Sequence, residues 1–185
     1  MIRDIYKDDQ DIERSLITAL YDLMLTENID RISVNQITEY AHVSRASFYR
    51  RYKDKYDLLN RTYEDILKKT LFRFKENLSW KESVKQIYAV IQENHVFFNN
   101  ALHSEDVNGF RNYLYEQAFK LESDVLRSNG VDPDDLHNRY RLVAYASAGV
   151  SLTAEWCANK ADLSLEEMVD LLVEIVPAEF RSYFR

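Results

Sequence analysis

Glycine and proline, the two residues that most strongly interrupt helices, occur only three times and twice in the 185 residues. Apolar residues recur instead at the spacing of one helical face, as in Ile12, Leu16, Leu20 and Leu23. No stretch of the sequence sustains the alternation that is typical of a half-buried strand. The sequence therefore predicts an all-α protein.

Several helix starts are visible as capping residues. Ser33, Ser79 and Ser164 are each followed three residues later by Gln or Glu, which forms a capping box. Asp54 is a further predicted cap, and so is Asp132, because a proline follows it at the first helical position. Together with the apolar spacing, these caps predict helices over about 9–26, 34–41, 44–52, 54–78, 84–102, 110–129, 136–159 and 165–176.

The charge of the chain is unevenly distributed. The whole chain carries a formal charge of −7, which argues against a protein that coats nucleic acid over its entire surface. Residues 42–55 nevertheless hold five cations and one anion, whereas residues 61–185 carry a net charge of −5. The sequence thus predicts one local surface for phosphate groups, near the N-terminal end.

The sequence carries few signals about the cellular compartment or about catalysis. A single cysteine, Cys157, excludes an intrachain disulfide and is typical of a reducing environment. The charged N-terminus is unlike a signal peptide, and no apolar run approaches the roughly 20 residues that span a bilayer. His95 and His103 lie near acidic residues, but histidines on a helix are more often surface residues than zinc ligands. We therefore expect a cytoplasmic protein that is not an enzyme and holds no metal or cofactor.

The segment 41–55 has the layout of two crossing helices. Ala41 avoids bulk where the helices cross, Val43 buries the turn between them, and Ser44 can cap the next helix. That helix then presents its first turn, which contains Arg45, to the outside. Arginine reads guanine with two hydrogen bonds, and a small residue leaves room for thymine methyl groups. The segment predicts a helix-turn-helix that inserts into DNA.

The aromatic and basic residues that follow have separate expected roles. Phe48 and Tyr52 are four residues apart and face the core, whereas Tyr49 and Arg50 point elsewhere, within range of phosphates. Lys55, in the first turn of the fourth helix, is expected to hold a phosphate together with the free amides there.

Three stretches, Ile32–Ile37, Ala41–Tyr49 and Lys53–Leu59, resemble the N-terminal domain of TetR/AcrR-type transcriptional regulators. The resemblance implies a three-helix DNA-binding domain over residues 1–55 and a helical effector-binding and dimerisation domain over residues 56–185. It also implies that DNA is contacted by Ser33, Asn35, Arg45, Ala46, Ser47, Tyr49, Arg50, Arg51, Lys53 and Lys55. The sequence departs from the family pattern in two places. His42 replaces the usual turn glycine, so we expect a left-handed backbone at a residue that tolerates it. Ala46-Ser47 replaces the usual Gly-Thr.

The aromatic-rich residues 61–185 allow two interpretations. The first is a pocket for a small effector, with the hydroxyls of Tyr88, Tyr113 and Tyr145 as candidate polar contacts; the second is a helical core without a ligand. The resemblance implies a homodimer formed by helices near 133–159 and 164–182, which binds a palindromic operator as a repressor and is released by a small ligand. The alternative is a regulator whose C-terminal domain binds a protein partner.

Overall fold

The computed structural model describes residues 12–71, 79–106, 109–160 and 162–184. Within these ranges the chain forms only helices and connecting loops, which confirms the all-α prediction. The predicted helical positions 9–11, Phe74 and Leu78 lie outside the described residues. The α-helices are α1 (Ile12–Met24), α2 (Val34–Tyr40), α3 (Arg45–Tyr49), α4 (Lys55–Leu71), α5 (Trp80–Glu93), α6 (His95–Leu102), α7 (Phe110–Ser128), α8 (Leu136–Ala158) and α9 (Leu165–Glu174). Short 3-10 helices cover Ile29–Arg31 and Ala178–Phe180.

The capping boxes form as the sequence predicts. The Ser33 hydroxyl accepts the Gln36 N–H at 3.2 Å, and the Gln36 side chain accepts the Ser33 N–H at 2.8 Å. Ser79 and Ser164 start α5 and α9 through the same reciprocal pair of bonds. Asp54 accepts two N–H groups of the first turn of α4. These side chains satisfy amides that a helix start would otherwise leave unpaired.

The start of α8 corrects one predicted cap. The carboxylate of Asp135 accepts two N–H groups of the first turn of α8, at 3.0 and 3.2 Å. Asp132 instead accepts the N–H of Asp134 at 2.9 Å and closes a short turn around Pro133. Asp132 is therefore not the cap, because Asp135 lies within reach of the helix amides and Asp132 precedes the turn.

The predicted fifth helix is divided into α5 and α6 at Asn94, so the prediction of one continuous helix is wrong. Asn94 has φ −123° and ψ 29°, outside the helical region. Its buried side chain donates to the Val90 carbonyl at 2.7 Å and accepts the Tyr21 hydroxyl at 2.9 Å. An asparagine side chain that bonds to nearby backbone competes with the helix, and here it ends one helix where the next begins.

The C-terminal end is less helical than the apolar spacing suggests. α9 ends at Glu174, before Pro177, and the 3-10 helix follows. The chain then returns to the core, where the Phe184 ring lies edge-on to Trp80 at 4.8 Å. The second of the two helices predicted for dimerisation is therefore shorter than residues 164–182.

One hydrophobic core runs through the described residues. Tyr21 of α1 stacks on Phe97 of α6 with ring centroids 5.3 Å apart. Tyr63 of α4 packs edge-on against Phe110 at 5.0 Å and Phe98 at 6.2 Å. Because α4 begins beside the helix-turn-helix and continues among the C-terminal helices, it connects the two parts without a flexible linker.

The turn between α2 and α3 confirms the backbone conformation expected at His42. His42 has φ 54°, in the left-handed region. The N–H of the next residue, Val43, donates back to the Thr38 carbonyl at 2.9 Å, which closes the end of α2. A side chain in this region costs about 1–2 kcal/mol, and histidine is among the residues that tolerate it.

We expect His42→Gly to raise the free energy of unfolding by about 0.5–1 kcal/mol, because glycine removes the steric cost of the left-handed backbone. Ala41→Gly is the matched control, since Ala41 has a right-handed backbone with φ −76°. That change should lower the free energy of unfolding by about 1 kcal/mol. Urea unfolding of the three proteins measures both effects, and equal losses in the two variants would contradict the account.

Candidate functional site

The short helix α3 is held in place by its cap and by one aromatic side chain. Ser44 has an extended backbone, and its hydroxyl accepts the Ser47 N–H at 3.1 Å. Phe48 is completely buried, and its ring packs 5.6 Å from that of Tyr52. With its inner side fixed in this way, α3 presents its opposite side to the solvent.

The outer side of α3 and its C-cap carry four of the ten predicted DNA-contacting residues as exposed side chains. Arg45, Ala46, Tyr49 and Arg50 are exposed. The Arg45 guanidinium lies 5.8 Å from the Tyr49 ring centroid, and Arg50 Nη2 donates to Ser47 Oγ at 2.8 Å. These contacts orient both cations along one helix surface before any partner binds.

The remaining predicted contacts surround this surface or lie partly beneath it. Ser33, Asn35 and Lys53 are exposed. The Ser33 hydroxyl also donates to Gln36 Oε1 at 2.7 Å as part of the cap of α2. Arg51 is half-buried, and its Nη1 donates to the Ser47 carbonyl at 3.3 Å.

Lys55 has structural partners that sequence reasoning did not predict. Its ammonium group donates to the backbone carbonyls of Asp30 at 2.9 Å and Ile32 at 2.8 Å. Burial lowers the pKa of Lys55, against the opposing effect of nearby carboxylates. The ammonium therefore joins the start of α4 to the loop before α2. A contact between Lys55 and phosphate stays a prediction.

Asp30 is a junction between the helix-turn-helix and the loop after α6. Its carboxylate accepts the hydroxyls of Tyr56 at 2.9 Å and Ser104 at 2.6 Å, and the N–H of Glu105 at 2.9 Å. Burial alone would raise the pKa of Asp30, but these hydrogen bonds outweigh it and lower the pKa. These hydrogen bonds connect the loop at residues 104–105 to the segment that precedes α2.

A mostly apolar cavity of about 90 Å³ lies between α4, α5, α7, α8 and α9. Of the three tyrosines proposed as pocket residues, Tyr88 and Tyr145 line this cavity. Tyr113 does not line the cavity. Its ring centroid lies 6.3 Å from that of Tyr63, which does line it. The structure therefore brings two of the three candidates together.

The hydroxyls of Tyr88 and Tyr145 both donate their protons to groups within the fold. Tyr88 and Thr153 share a hydrogen bond of 2.6 Å, and Thr153 donates its own proton to the Gly149 carbonyl at 2.7 Å. Tyr88 is therefore the donor to Thr153. Tyr145 donates to the Leu172 carbonyl at 3.2 Å. The Tyr145 hydroxyl also interacts with the Trp80 indole.

Glu122 is a cavity residue that sequence reasoning missed. It lines the cavity from α7 and is 5% exposed. Its Oε2 atom has no hydrogen-bond partner among the described residues. Burial raises the pKa of Glu122 well above its usual value. The sequence spacing could have indicated its burial. Glu122 follows Leu114 by eight residues, a spacing that places both on the apolar side of α7.

Metal and membrane functions receive no support from the parts of the chain that the structure describes. In these ranges, no three His, Cys, Asp or Glu side chains come together as a metal site. The helices there are also too short or too polar to cross a bilayer.

Two family models match the chain. Residues 16–62 match the model described as "Bacterial regulatory proteins, tetR family". Residues 79–177, more than half of the chain, match the model described as "Transcriptional regulator C-terminal region". No curated protein matches the sequence significantly.

Solved structures share the fold at low sequence identity. The dihydroxyacetone kinase operon activator DhaS matches with a TM-score of 0.66 and 20% identity, over 96% of this chain and 100% of its own. A TetR transcriptional regulator from Streptococcus agalactiae 2603V matches with a TM-score of 0.63 and 18% identity, over 94% and 96%. The regulator FadR from Bacillus subtilis, in complex with stearoyl-CoA, matches with a TM-score of 0.53 and 16% identity, over 88% and 96%.

Replacing Glu122 by glutamine should change how stability depends on pH. Because burial raises the pKa of Glu122 in the folded state, the unfolded chain releases this proton first as pH rises above about 4.3. The wild-type free energy of unfolding should therefore decrease with rising pH relative to that of Glu122→Gln. Urea unfolding from pH 4 to pH 8 measures the difference.

Glu116→Gln is the matched control, since Glu116 lies on the exposed side of the same helix. The difference between wild type and Glu122→Gln should widen with pH by more than the difference between wild type and Glu116→Gln, because burial acts on the Glu122 carboxyl group in the folded state. A constant difference for Glu122→Gln would contradict a buried, protonated carboxyl group.

Proposed function

The chain belongs to the TetR family of bacterial transcriptional regulators, and on that premise we propose that it is a homodimeric repressor that a small ligand releases from a palindromic operator. The observation that carries the proposal is the geometry of α3. Phe48 anchors this helix in the core while Arg45, Tyr49 and Arg50 remain exposed on its outer side. This arrangement is typical of a recognition helix.

Base reading is assigned to the first turn of α3. Five residues at 1.5 Å per residue make a helix of about 7.5 Å, short enough to enter the major groove by its N-terminal end. Arg45 has the geometry to read guanine, and Ala46 leaves space for a thymine methyl group. Tyr49, Arg50 and Lys53 are assigned to the phosphates, which fix the register of the helix on the duplex.

The dimer interface is assigned to an exposed face of α8. Leu136 and Tyr140 are 64% and 70% exposed, and Val143 is also exposed. Ala144, Ser147 and Ser151 continue the same face with small side chains that allow another helix to approach closely. A second copy of the chain is the occupant that this face fits, because a two-fold axis pairs the same apolar and small residues with themselves.

Such a dimer explains how a five-residue helix achieves specificity. One α3 contacts only a few base pairs, whereas two copies related by a two-fold axis read both halves of a palindrome. The two recognition helices must then lie about 34–36 Å apart to enter successive major grooves on one face of the duplex. Any change in this separation reduces operator affinity.

Two connections between the cavity and the DNA-binding part support release by a ligand. Tyr63 and Leu67 line the cavity from α4, the helix that begins at Lys55. Tyr88 lines the cavity from α5, which ends at Asn94, and the Asn94 side chain accepts the Tyr21 hydroxyl of α1. A ligand that changes the packing of α4 or α5 therefore shifts the population of DNA-binding geometries.

The family comparisons support a ligand and leave the sign of regulation to experiment. FadR from Bacillus subtilis was solved with stearoyl-CoA, so one protein of this fold binds a ligand. DhaS is named as an activator, which shows that the fold also occurs in a regulator of the opposite sign. In a transcription assay with the operator at the promoter, our proposal requires less transcript when the protein is added; more transcript would identify an activator.

Arg45→Ala and Lys53→Ala should affect DNA binding in different ways. Arg45→Ala should change the preferred sequence, since it removes a base contact, with a loss of about 1–3 kcal/mol at the affected position. Lys53→Ala should weaken binding to all sequences alike and reduce the slope of log K against log salt by about one. Fluorescence anisotropy with a set of point-substituted operators at several salt concentrations measures both. An unchanged sequence preference in Arg45→Ala would contradict its base-reading role.

Tyr140→Glu should convert the dimer into a monomer, because it places two carboxylates near the two-fold axis of an apolar interface. Leu25→Glu is the matched control, since Leu25 is 41% exposed and lies outside this face. Sedimentation equilibrium should give twice the chain mass for wild type and the control, and the chain mass for Tyr140→Glu. A dimeric Tyr140→Glu variant would exclude this face of α8.

A further inference from the structure

We propose that the cavity beside Glu122 binds a small organic cation, specifically a protonated alkyl amine. This inference names a ligand class for the cavity and rests on the proposed function only for the regulatory consequence of binding.

The cavity wall is mainly aromatic and aliphatic, with a few polar side chains that include Gln117 and Glu122. Tyr63, Trp80, Tyr88 and Tyr145 surround it with ring systems, which attract cations electrostatically. The protons of both hydroxyls that were traced above are already donated within the fold, and the Trp80 indole interacts with the Tyr145 hydroxyl. An anionic ligand would face the Glu122 carboxyl group and the negative ring faces, whereas an ammonium group is attracted by both.

Glu122 supplies the group that makes the cavity selective for charge. Its Oε2 atom is buried without a hydrogen-bond partner among the described residues, at a wall that is mostly apolar. An unpaired buried polar group destabilises a fold, so a hydrophobic residue here would pack at lower cost. A ligand with N–H donors and a positive charge satisfies the carboxylate, which an apolar ligand does not.

Binding of the amine requires the proton of the carboxyl group to leave. Burial favours the protonated form of Glu122 in the empty cavity, and the titratable groups that interact with it are Tyr88 and Tyr145. When an alkylammonium ion enters, Glu122 becomes a carboxylate and one proton passes to the solvent. The charge inside the cavity is then balanced, with one anion and one cation in contact.

The volume limits the size of the ligand. The cavity measures about 90 Å³. An apolar cavity of about 150 Å³ holds benzene, so this one, at about three fifths of that volume, fits about four heavy atoms, or a slender ligand of about five with small shifts of the lining side chains. Butylammonium has this size, and 1-butanol and butyrate differ from it mainly in charge and donor groups. These three compounds form a matched set of probes.

The test is isothermal titration of the full chain with butylammonium, 1-butanol and butyrate, for wild type, Glu122→Gln and Glu116→Gln. We expect wild type and Glu116→Gln to bind butylammonium at least about tenfold more tightly than 1-butanol, and butyrate not at all. Glu122→Gln should lose this preference while keeping its DNA affinity, which shows that it is folded. Titrations in two buffers of different ionisation enthalpy should show that wild type releases protons when butylammonium binds, and that Glu122→Gln does not.

Three results would overturn the assignment. These are equal binding of 1-butanol and butylammonium, a preference for butylammonium that survives in Glu122→Gln, and no binding of any probe. Operator affinity is measured separately with and without butylammonium. If butylammonium binds through Glu122 and operator affinity is unchanged, the cation site stands and release by this ligand fails; if it binds and affinity falls, both stand.

Discussion

The hydrogen bonds from the Lys55 ammonium to two backbone carbonyls connect α4 to the loop that precedes the helix-turn-helix. Two turns further along α4, Tyr63 packs against Phe110 and lines the internal cavity. One helix therefore fixes the position of the DNA-binding part and forms a wall of the cavity. The DNA-binding part and the cavity therefore share α4 as a common structural element.

The sequence predicts local features well where the physical cause is local. The cap at Ser33 and the left-handed backbone at His42 form as expected, since each depends on residues within a few positions. The break at Asn94 was missed, because it depends on Tyr21, which is 73 positions away. The prediction of Asp132 as the cap was wrong, because Asp135 is equally suitable by residue type and lies within reach of the helix amides. The bounds of α8 and the all-α class needed no such distant information.

The same distinction between local and distant causes applies to the residues of the candidate sites. Residues such as Arg45 and Tyr49 could be placed on α3 from spacing, because a helix of known start determines which side chains point outward. The partners of Lys55 and the neighbours of Glu122 come from distant parts of the chain, and no local pattern specifies them. A buried acid without a partner costs stability. Its presence in the wall of a cavity is therefore better explained by a ligand than by folding.

The central claim is that two copies of α3 read a palindrome as a pair. Selection of a random double-stranded DNA library with the purified chain, followed by measurement of protein-to-DNA stoichiometry on the selected sequence, tests this claim most directly. We expect an inverted repeat with an even number of chains bound. The centres of its half-sites should lie one helical turn of about 34–36 Å apart, or a multiple of that distance. A single half-site bound by one chain, or no enriched sequence, would contradict it.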